Sequence, residues 1–518
     1  MGAQIAAFLA GAGLKVRLLD LPLEGDEVGL ARRGLERAQQ ARPPAFYLPE
    51  MAELIELGSM EDLECIGSAD WVIEAVLEES EPKRALLERL EPHLHDNLII
   101  STNTSGLSIT GLAAGRTQSF QQRFMGIHFF NPPRYMKLVE VIPGPETDPE
   151  IVDQMTKFLS HDLGKGVVHG RDTPNFIGNR MWVFAAFDML QRMEGDGLGV
   201  EEVDALTGLL MGRPKSATLR VCDLVGLDTV AHVAETSYDA LLEDPWRSHF
   251  RPPAFYTRML EEHLLGAKVN SGFYRKNGSD IEVLDLDHFS YRAVQEVDLG
   301  DLQGALRDRS PQRRLQALWN DRGRWGEIGR NHLRAVLAYA AEHAAEMAGD
   351  IEQIDQAMRW GFNWDLGPFE IWDLLGVDEV VRELEEDHQH VPDLAVALLN
   401  TGANSFYAEE GGAPSIFSLI SMKPEPREYR YARANILDPV RASWSNDGAY
   451  LVELEAGIGA LVFSGRMNAL GPAALEAVHH TVDTDSLAGL VLCGAGDQFS
   501  VGADLKHMAQ LIVEADWE

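Results

Sequence analysis

Residues 126–142 read GIHFFNPPRYMKLVEVI. Two apolar runs, FMGIHFF and LVEVI, flank a Pro-Pro loop, the pattern of neighbouring strands joined by a short connection. His128 ends the first strand and Glu140 lies on the second. A loop this short lets the two side chains meet. A carboxylate that holds one imidazole nitrogen fixes the tautomer and raises the basicity of the other. Such a histidine can take a proton from a hydroxyl while hydride leaves the same carbon. In isolation, a satisfied histidine beside a buried glutamate is an equally good reading.

Around this block, residues 1–170 alternate between strand-like and helix-like segments. IAAFLAGAG is small and helical, and VRLLD is a short strand. A long helical stretch follows, then WVIEAVL, LIISTNT, FMGIHFF and LVEVI. Strands separated by helical patterns imply right-handed crossovers and a mostly parallel sheet. Gly2 opens the first helix and Asp20 closes the strand KVRLLD. A dinucleotide-binding turn needs glycines where backbone approaches pyrophosphate and where helix packs on strand, with an acid on the next strand for the ribose. The spacing from Gly2 to Asp20 fits the third glycine and that acid. The first strand and first two glycines would then lie before Met1. Taken alone, a Gly-headed helix before an Asp-ended strand is more often mere packing.

Residues 171–275 lose the strand signal. RDTPNFIGNRMWVFAAFDMLQRME reads as a helix start, with Asp/Thr-Pro at its head and a long apolar face. Residues 276–325 are polar and irregular, a linker or insert in which DIEVLDLDHFSYR suits a small strand pair. Helical periodicity returns over 326–410. VEEVDALTGLLMGRPKSATLRVCDLVGLDTV (200–230) repeats as IEQIDQAMRWGFNWDLGPFEIWDLLGVDEV (351–380). Each copy has an acidic helix start, an Asp, a Gly-containing turn, then Asp-Leu-(Val/Leu)-Gly-(Leu/Val)-Asp. Two copies imply duplicated helical domains packed on each other, since a solenoid needs three or more units. Residues 411–445 read as a loop-rich linker. Within 446–518, AYLVELEAGIGALVF and LAGLVLCG flank the helix PAALEAVHHTV, the opening of another α/β domain.

HFFNPP followed by VEVI, with NTS upstream and DTPNFIGNR downstream, resembles the 3-hydroxyacyl-CoA dehydrogenase family. The resemblance implies an α/β Rossmann-like domain whose first strand is missing, then duplicated all-α C-terminal domains. On that match His128 is the catalytic base and Glu140 its orienting partner. Ser105, in NTSGL, matches the hydroxyl that bonds the substrate oxygen, and Asn179, in FIGNR, the amide that completes the substrate site. Without the family they would read as a loop serine and a capping asparagine. Glu78 and Lys83 resemble a pair near the nicotinamide ribose, and Asn103 and Gly2 join the cofactor side. A lone Glu–Lys pair on a helix face is usually solvated. Asp20 would hold the adenosine ribose, which favours NAD over NADP because a carboxylate repels a 2′-phosphate. LGAKVNSGFYRK (265–276) and DLGPFEIWDLLG (365–376) resemble the ends of the two helical copies, the first having lost its Gly-Pro-Phe. The second copy is expected to be scaffold, far from the chemistry.

The tail resembles the start of an enoyl-CoA hydratase (crotonase) domain, through SGRMNALGPAALEAV and DQFSVGADLKHM. In that family the N–H matching Ala503 is half of an oxyanion hole, a fixed dipole suited to a developing enolate. The second donor and the catalytic glutamates lie further along that fold, so no hydratase activity is expected here. The order resembles bacterial bifunctional β-oxidation proteins with the dehydrogenase first, cut at both ends. This implies NAD-dependent oxidation of an L-3-hydroxyacyl-CoA thioester to 3-oxoacyl-CoA, in the cytoplasm, and leaves a thiolase partner and a homo-oligomer open. A non-catalytic CoA-ester binder or structural relative on the same fold is the alternative. A hydroxy acid without CoA is a weaker one, since crotonase folds handle acyl-CoA thioesters.

Bulk composition narrows the classes further. Of 518 residues, 81 are acidic and 45 are Lys or Arg, a formal charge of -36. Such a field repels phosphate backbones and anionic lipid, which argues against nucleic-acid or membrane-surface binding. Cys65, Cys222 and Cys493 are far apart without CxxC spacing, which argues for reduced thiols and against a disulfide frame or zinc site. No apolar run approaches the ~20 residues of a membrane helix.

Overall fold

A computed structural model describes residues 1–410, 413–427, 437–454, 457–484, 487–495 and 498–514. The chain forms two compact units, Met1–Pro426 and Arg427–Glu518. Among the described residues no helix is long and apolar enough to cross a membrane.

The first unit opens with α1 (Gly2–Gly11), whose small and apolar residues Ile5 to Ala10 are buried. Then come β1 (Val16–Asp20), α2 (Gly29–Gln39) and β2 (Ile55–Ser59), with β1 and β2 paired in parallel. β2 falls inside the stretch read as one long helix. Only its first residue is buried, so IELGS lacks the alternation that marks a strand. A second sheet is built from β3 (Trp71–Glu74), β4 (Ile99–Thr102), β5 (Phe124–Phe129), β6 (Leu138–Pro143) and β7 (Gly166–His169), in that order. The helices α3 (Ser80–Leu90), α4 (Ile109–Ala113), α5 (Gln118–Arg123) and α6 (Pro149–Lys157) connect them. Every pairing is parallel except β5–β6. β4 and β5 are buried throughout, and unbroken apolar runs are what strands covered on both faces require. β1 and β3 line an open cavity of about 2240 Å³ between the two sheets.

The helical part begins with α7 (Gly178–Asp196), later than the Asp/Thr-Pro head suggests. Asp172 instead accepts the N–H groups of Ile109 and Thr110, each at 2.8 Å, and so caps α4. Asn175 and Phe176 follow at φ 60° and 52°, a left-handed turn that no helix tolerates. α8 (Val200–Thr207), α9 (Leu219–Val225), α10 (Leu227–Ala240) and α11 (Ala254–Glu261) complete the first repeat. The strand pair read in the insert forms as β9 (Asp280–Asp285) and β10 (Ser290–Ala293), and β8 (Tyr274–Asn277), at the end of the first copy, joins it as a third antiparallel strand. The insert continues through α12 (Leu302–Ala305) and α13 (Pro311–Asn320), and Leu302, Leu315 and Leu318 enter the same core as both repeats. The insert is therefore built into the body rather than strung between domains.

The second repeat comprises α14 (Arg324–Met347), α15 (Ile351–Gly361), α16 (Pro368–Leu375), α17 (Val377–Glu386) and α18 (Asp393–Asn400). β11 (Tyr407–Glu410), at the end of the stretch read as the second helical copy, then forms a small antiparallel sheet with β12 (Ala413–Phe417) and β13 (Pro424–Pro426) of the stretch read as linker. Both repeats carry the same buried staple. In the first, Asp204 accepts the N–H groups of Thr218 and Leu219 and the Tyr274 hydroxyl, while Asp223 accepts Phe273 N–H and Tyr274 N–H. In the second, Asp355 accepts the N–H groups of Phe369 and Glu370 and the Tyr407 hydroxyl, while Asp373 accepts Phe406 N–H and Tyr407 N–H. Backbone N–H groups make these bonds, so losing Gly-Pro-Phe from the first copy leaves its staple intact.

The second unit has β14 (Ala442–Ser445), β15 (Ala449–Glu453), β16 (Ile458–Phe463), α19 (Pro472–Val482), β17 (Gly489–Gly494) and α20 (Leu505–Glu514). Its sheet runs β14-β15-β16-β17, with only β16–β17 parallel. Leu451, Leu461, Phe463, Ala474 and Ala477 form its core.

Candidate active site

His128 and Glu140 sit directly opposite each other across the antiparallel β5–β6 pair. Their side chains meet, Nδ1 lying 2.7 Å from Oε2. Both are buried, at 4% and 0% exposure, so the bond is shielded from water. The other carboxylate oxygen accepts the N–H groups of Ile177 at 3.1 Å and Gly178 at 2.8 Å, at the start of α7. The two N–H donors at this helix N-terminus fix the Glu140 carboxylate in one orientation. Such a carboxylate keeps the hydrogen on Nδ1 and leaves Nε2 as an acceptor. Nε2 has no hydrogen-bond partner among the described residues. The ring lies between Phe130, 4.5 Å away, and Phe176, 6.0 Å away, centroid to centroid.

A second cluster holds the loop beside this dyad. Lys83 of α3 is buried and donates to both oxygens of Glu74, at 2.9 and 3.0 Å. It also pairs with Glu78 at 3.2 Å and donates to the Val76 carbonyl. Glu78 in turn accepts the Thr104 hydroxyl and the Ser105 N–H, each at 2.6 Å. The pair is therefore not solvated on a helix face. Lys83 is committed to protein groups and steadies the 102–105 loop instead of presenting its ammonium to a cofactor. Glu74 is the residue the sequence reading missed. Its signal is the single acid that closes the otherwise apolar strand WVIE. Thr102 donates its hydroxyl to Glu74 at 2.5 Å, and Asn103 accepts Phe129 N–H at 2.9 Å, tying the loop to the residue next to His128.

Ser105 and Asn179 come together across the junction of sheet and helices. Asn179, in the first turn of α7, donates to the Ser105 carbonyl at 3.5 Å. The Ser105 hydroxyl has no partner among the described residues. Lys165 is a further missed residue. It donates to the carbonyls of Pro133 and Met136 and so braces the Pro-Pro loop between the dyad strands. Burial pulls its ammonium down to about 8.

Gly2, Asp20 and Glu74 to Leu77 line the large cavity between the sheets, whereas His128, Ser105 and Asn179 lie outside it. A Cβ on Gly2 would stand 3.6 Å from the Ala75 Cβ, so the α1 start runs close to the end of β3. A helix N-terminus and an acid at a strand end, facing one cavity, fit the pyrophosphate and ribose of a dinucleotide. Ala503 belongs to the second unit, where it bridges in parallel to Leu470.

Sheet, helical lobe and oriented dyad together define a two-part α/β dinucleotide-binding protein. The sequence profile described as "3-hydroxyacyl-CoA dehydrogenase, NAD binding domain" matches residues 1–173. That described as "3-hydroxyacyl-CoA dehydrogenase, C-terminal domain" matches 176–276 and 326–403. A "Probable 3-hydroxyacyl-CoA dehydrogenase" of Bacillus subtilis is 36% identical over 525 residues, covering 98% of this chain, which spans 66% of that protein's length. One of the same name from Deinococcus radiodurans is 46% identical over 53% of this chain and 80% of its own. The solved 3-hydroxybutyryl-CoA dehydrogenase of Escherichia coli K12 superposes with a TM-score of 0.59 at 25% identity, over 78% of this chain and 97% of its own. The chain belongs to the 3-hydroxyacyl-CoA dehydrogenase family, whose N-terminal domain binds NAD.

Proposed function

We propose that this protein oxidises L-3-hydroxyacyl-CoA thioesters to 3-oxoacyl-CoA with NAD, a step of fatty-acid β-oxidation. The observation that carries this is the His128–Glu140 pair, with one carboxylate oxygen on the imidazole and the other on the α7 N-terminus. Nε2 of His128 takes the hydroxyl proton. Glu140, already held in one orientation, stabilises the imidazolium that results. The Ser105 hydroxyl and the Asn179 amide hold the substrate oxygen. Bound NAD supplies the hydride acceptor. Gly2, Asp20, Asn103 and the exposed edge of Glu78 would hold it, with Lys83 acting on Glu78 from behind. For residues 446–518 we propose a crotonase-like beginning, supported by the parallel β16–β17 pair around α19, with the Ala503 N–H as an oxyanion donor.

The test is NADH formation from a 3-hydroxyacyl-CoA. His128→Gln is expected to lower kcat by a factor on the order of 10²–10⁴, the range for losing a general base, with NAD affinity unchanged. A variant that kept the wild-type rate would remove His128 from this role. Failure of the wild type to bind NAD at millimolar concentration, by calorimetry, would favour a non-catalytic CoA-ester binder.

A further inference from the structure

The second repeat packs against the strands that carry the dyad and against Phe130 beside His128, whereas the sequence placed it far from the chemistry. The contact is made by Trp360, Gly361 and Phe362, where α15 ends. Trp360 lies over Gly166, the first residue of β7, so closely that a Cβ there would stand 2.3 Å from its Cε3. A Cβ on Gly361 would stand 2.6 Å from Cδ2 of Leu138, the first residue of β6 and two residues before Glu140. Phe362 stacks on Trp182 of α7 at 5.2 Å and 4°. It also meets Phe130 edge to face at 5.9 Å and 85°, and Phe130 packs 4.5 Å from the imidazole of His128.

The same ring bears on the carboxylate. Gly178, whose N–H holds Glu140, leaves a side chain only tight space against Phe130. A Cβ there would meet Phe130 at 3.1 Å, Phe362 at 3.4 Å and Leu138 at 3.5 Å. Phe362 therefore backs both the aromatic wall of the base and the helix start that orients its partner. Aromatic pairs in offset-stacked and edge-to-face geometry resist sliding, because their quadrupoles favour those arrangements over others. A core packed this tightly passes a displacement on rather than absorbing it.

We propose that Phe362 of the second repeat is a positioning residue for the His128–Glu140 dyad, acting through Phe130 on the imidazole and through Gly178 on the carboxylate. The proposal rests on the dehydrogenase reading above. A shift of about 1 Å in a catalytic group costs up to ~10²-fold in rate. Phe362→Ala is accordingly expected to lower kcat by about tenfold or more while KM for NAD stays within about twofold. Phe362→Leu, which keeps most of the buried volume, restores most of the rate. Gly178→Ala presses a methyl against the same two rings and reproduces the kinetic change without removing one, which covers the case of Phe362→Ala failing to fold. Tyr407→Phe, in the staple of the same repeat, lowers the unfolding temperature without lowering kcat. Phe362→Ala or Gly178→Ala with wild-type kcat overturns the proposal. A folded wild type with no turnover would instead overturn the dehydrogenase reading itself.

Discussion

The two helical repeats share a skeleton and differ in what their first helices face. α7 begins Ile177-Gly178-Asn179-Arg180, and α14 contains Ile328-Gly329-Arg330-Asn331 near its start. Each repeat then carries an Asp–Tyr staple over the following turn. In the first, the Gly178 N–H meets a strand carboxylate and Asn179 meets the Ser105 loop. In the second, a Cβ on Gly329 would meet the Leu318 side chain at 2.8 Å, and Arg330 donates to the Trp319 carbonyl at 2.9 Å. The staple folds the repeat. Chemistry depends on whether the helix start abuts a sheet that carries an acid and a base, which is why fold alone does not assign activity.

The sharpest way to break this contrast is to spoil the one junction that the second repeat lacks. Glu140→Gln keeps the shape but turns one acceptor into a donor, facing either the Nδ1 hydrogen or the α7 N–H groups. The expected loss in kcat is on the order of 10²–10⁴, comparable to removing the base, with intact far-UV dichroism. An unchanged kcat would mean that the α7 N-terminus and the carboxylate do not act together on His128.

Much of this junction was legible because its parts are close in sequence. Twelve residues separate His128 from Glu140, so a short loop and strand alternation suffice to pair them. Asp20 was readable for the same reason, as an acid closing a short apolar strand after a Gly-headed helix. The burial of Lys83 was not, because its partner Glu74 comes from another element and nothing local says which way a helix lysine turns. β2 and β7 are short and carry weak alternation, so they left little trace. The contact of Phe362 with Phe130 spans 232 positions, and no local periodicity encodes a meeting between a helix end and a distant strand end.

Next in size come the staples, which should behave alike in both repeats. Tyr274→Phe and Tyr407→Phe each remove one hydroxyl from a buried carboxylate. Each is expected to cost about 1–3 kcal/mol in urea unfolding, the cost of leaving a buried acceptor short of a donor. Unequal losses would show that the duplicated geometry hides different energetics.

A smaller effect is the dependence of the staples on pH. Burial lifts the carboxyl of Asp223 to about 7 and those of Asp204 and Asp373 to about 6, even though N–H donors pull the other way. A carboxyl that holds its proton more tightly when folded adds stability at low pH. That contribution is complete below the ordinary Asp value of ~3.9 and is lost as pH climbs through the folded values. The urea midpoint should therefore fall between about pH 4 and pH 7, and Asp223→Asn, which mimics the protonated group, should flatten that fall. A slope unaltered by the substitution would place the titration elsewhere.

The smallest expected effect tests the contrast from the side of the second repeat. Arg330→Asn gives α14 the asparagine that α7 has at the matching position. If the asparagine alone made a substrate site, the variant would gain one. The structure argues otherwise, since Arg330 faces the 319–321 turn and Glu383, its guanidinium donates to carbonyls, and among the described residues no strand brings a histidine or glutamate to it. Turnover and the NAD stoichiometry per chain should stay at wild-type values, while stability falls by the worth of the lost carbonyl bonds, about 1–2 kcal/mol. A second class of NADH-forming sites in single-turnover kinetics would show that the residue at the helix start, rather than the sheet it faces, decides where the chemistry occurs.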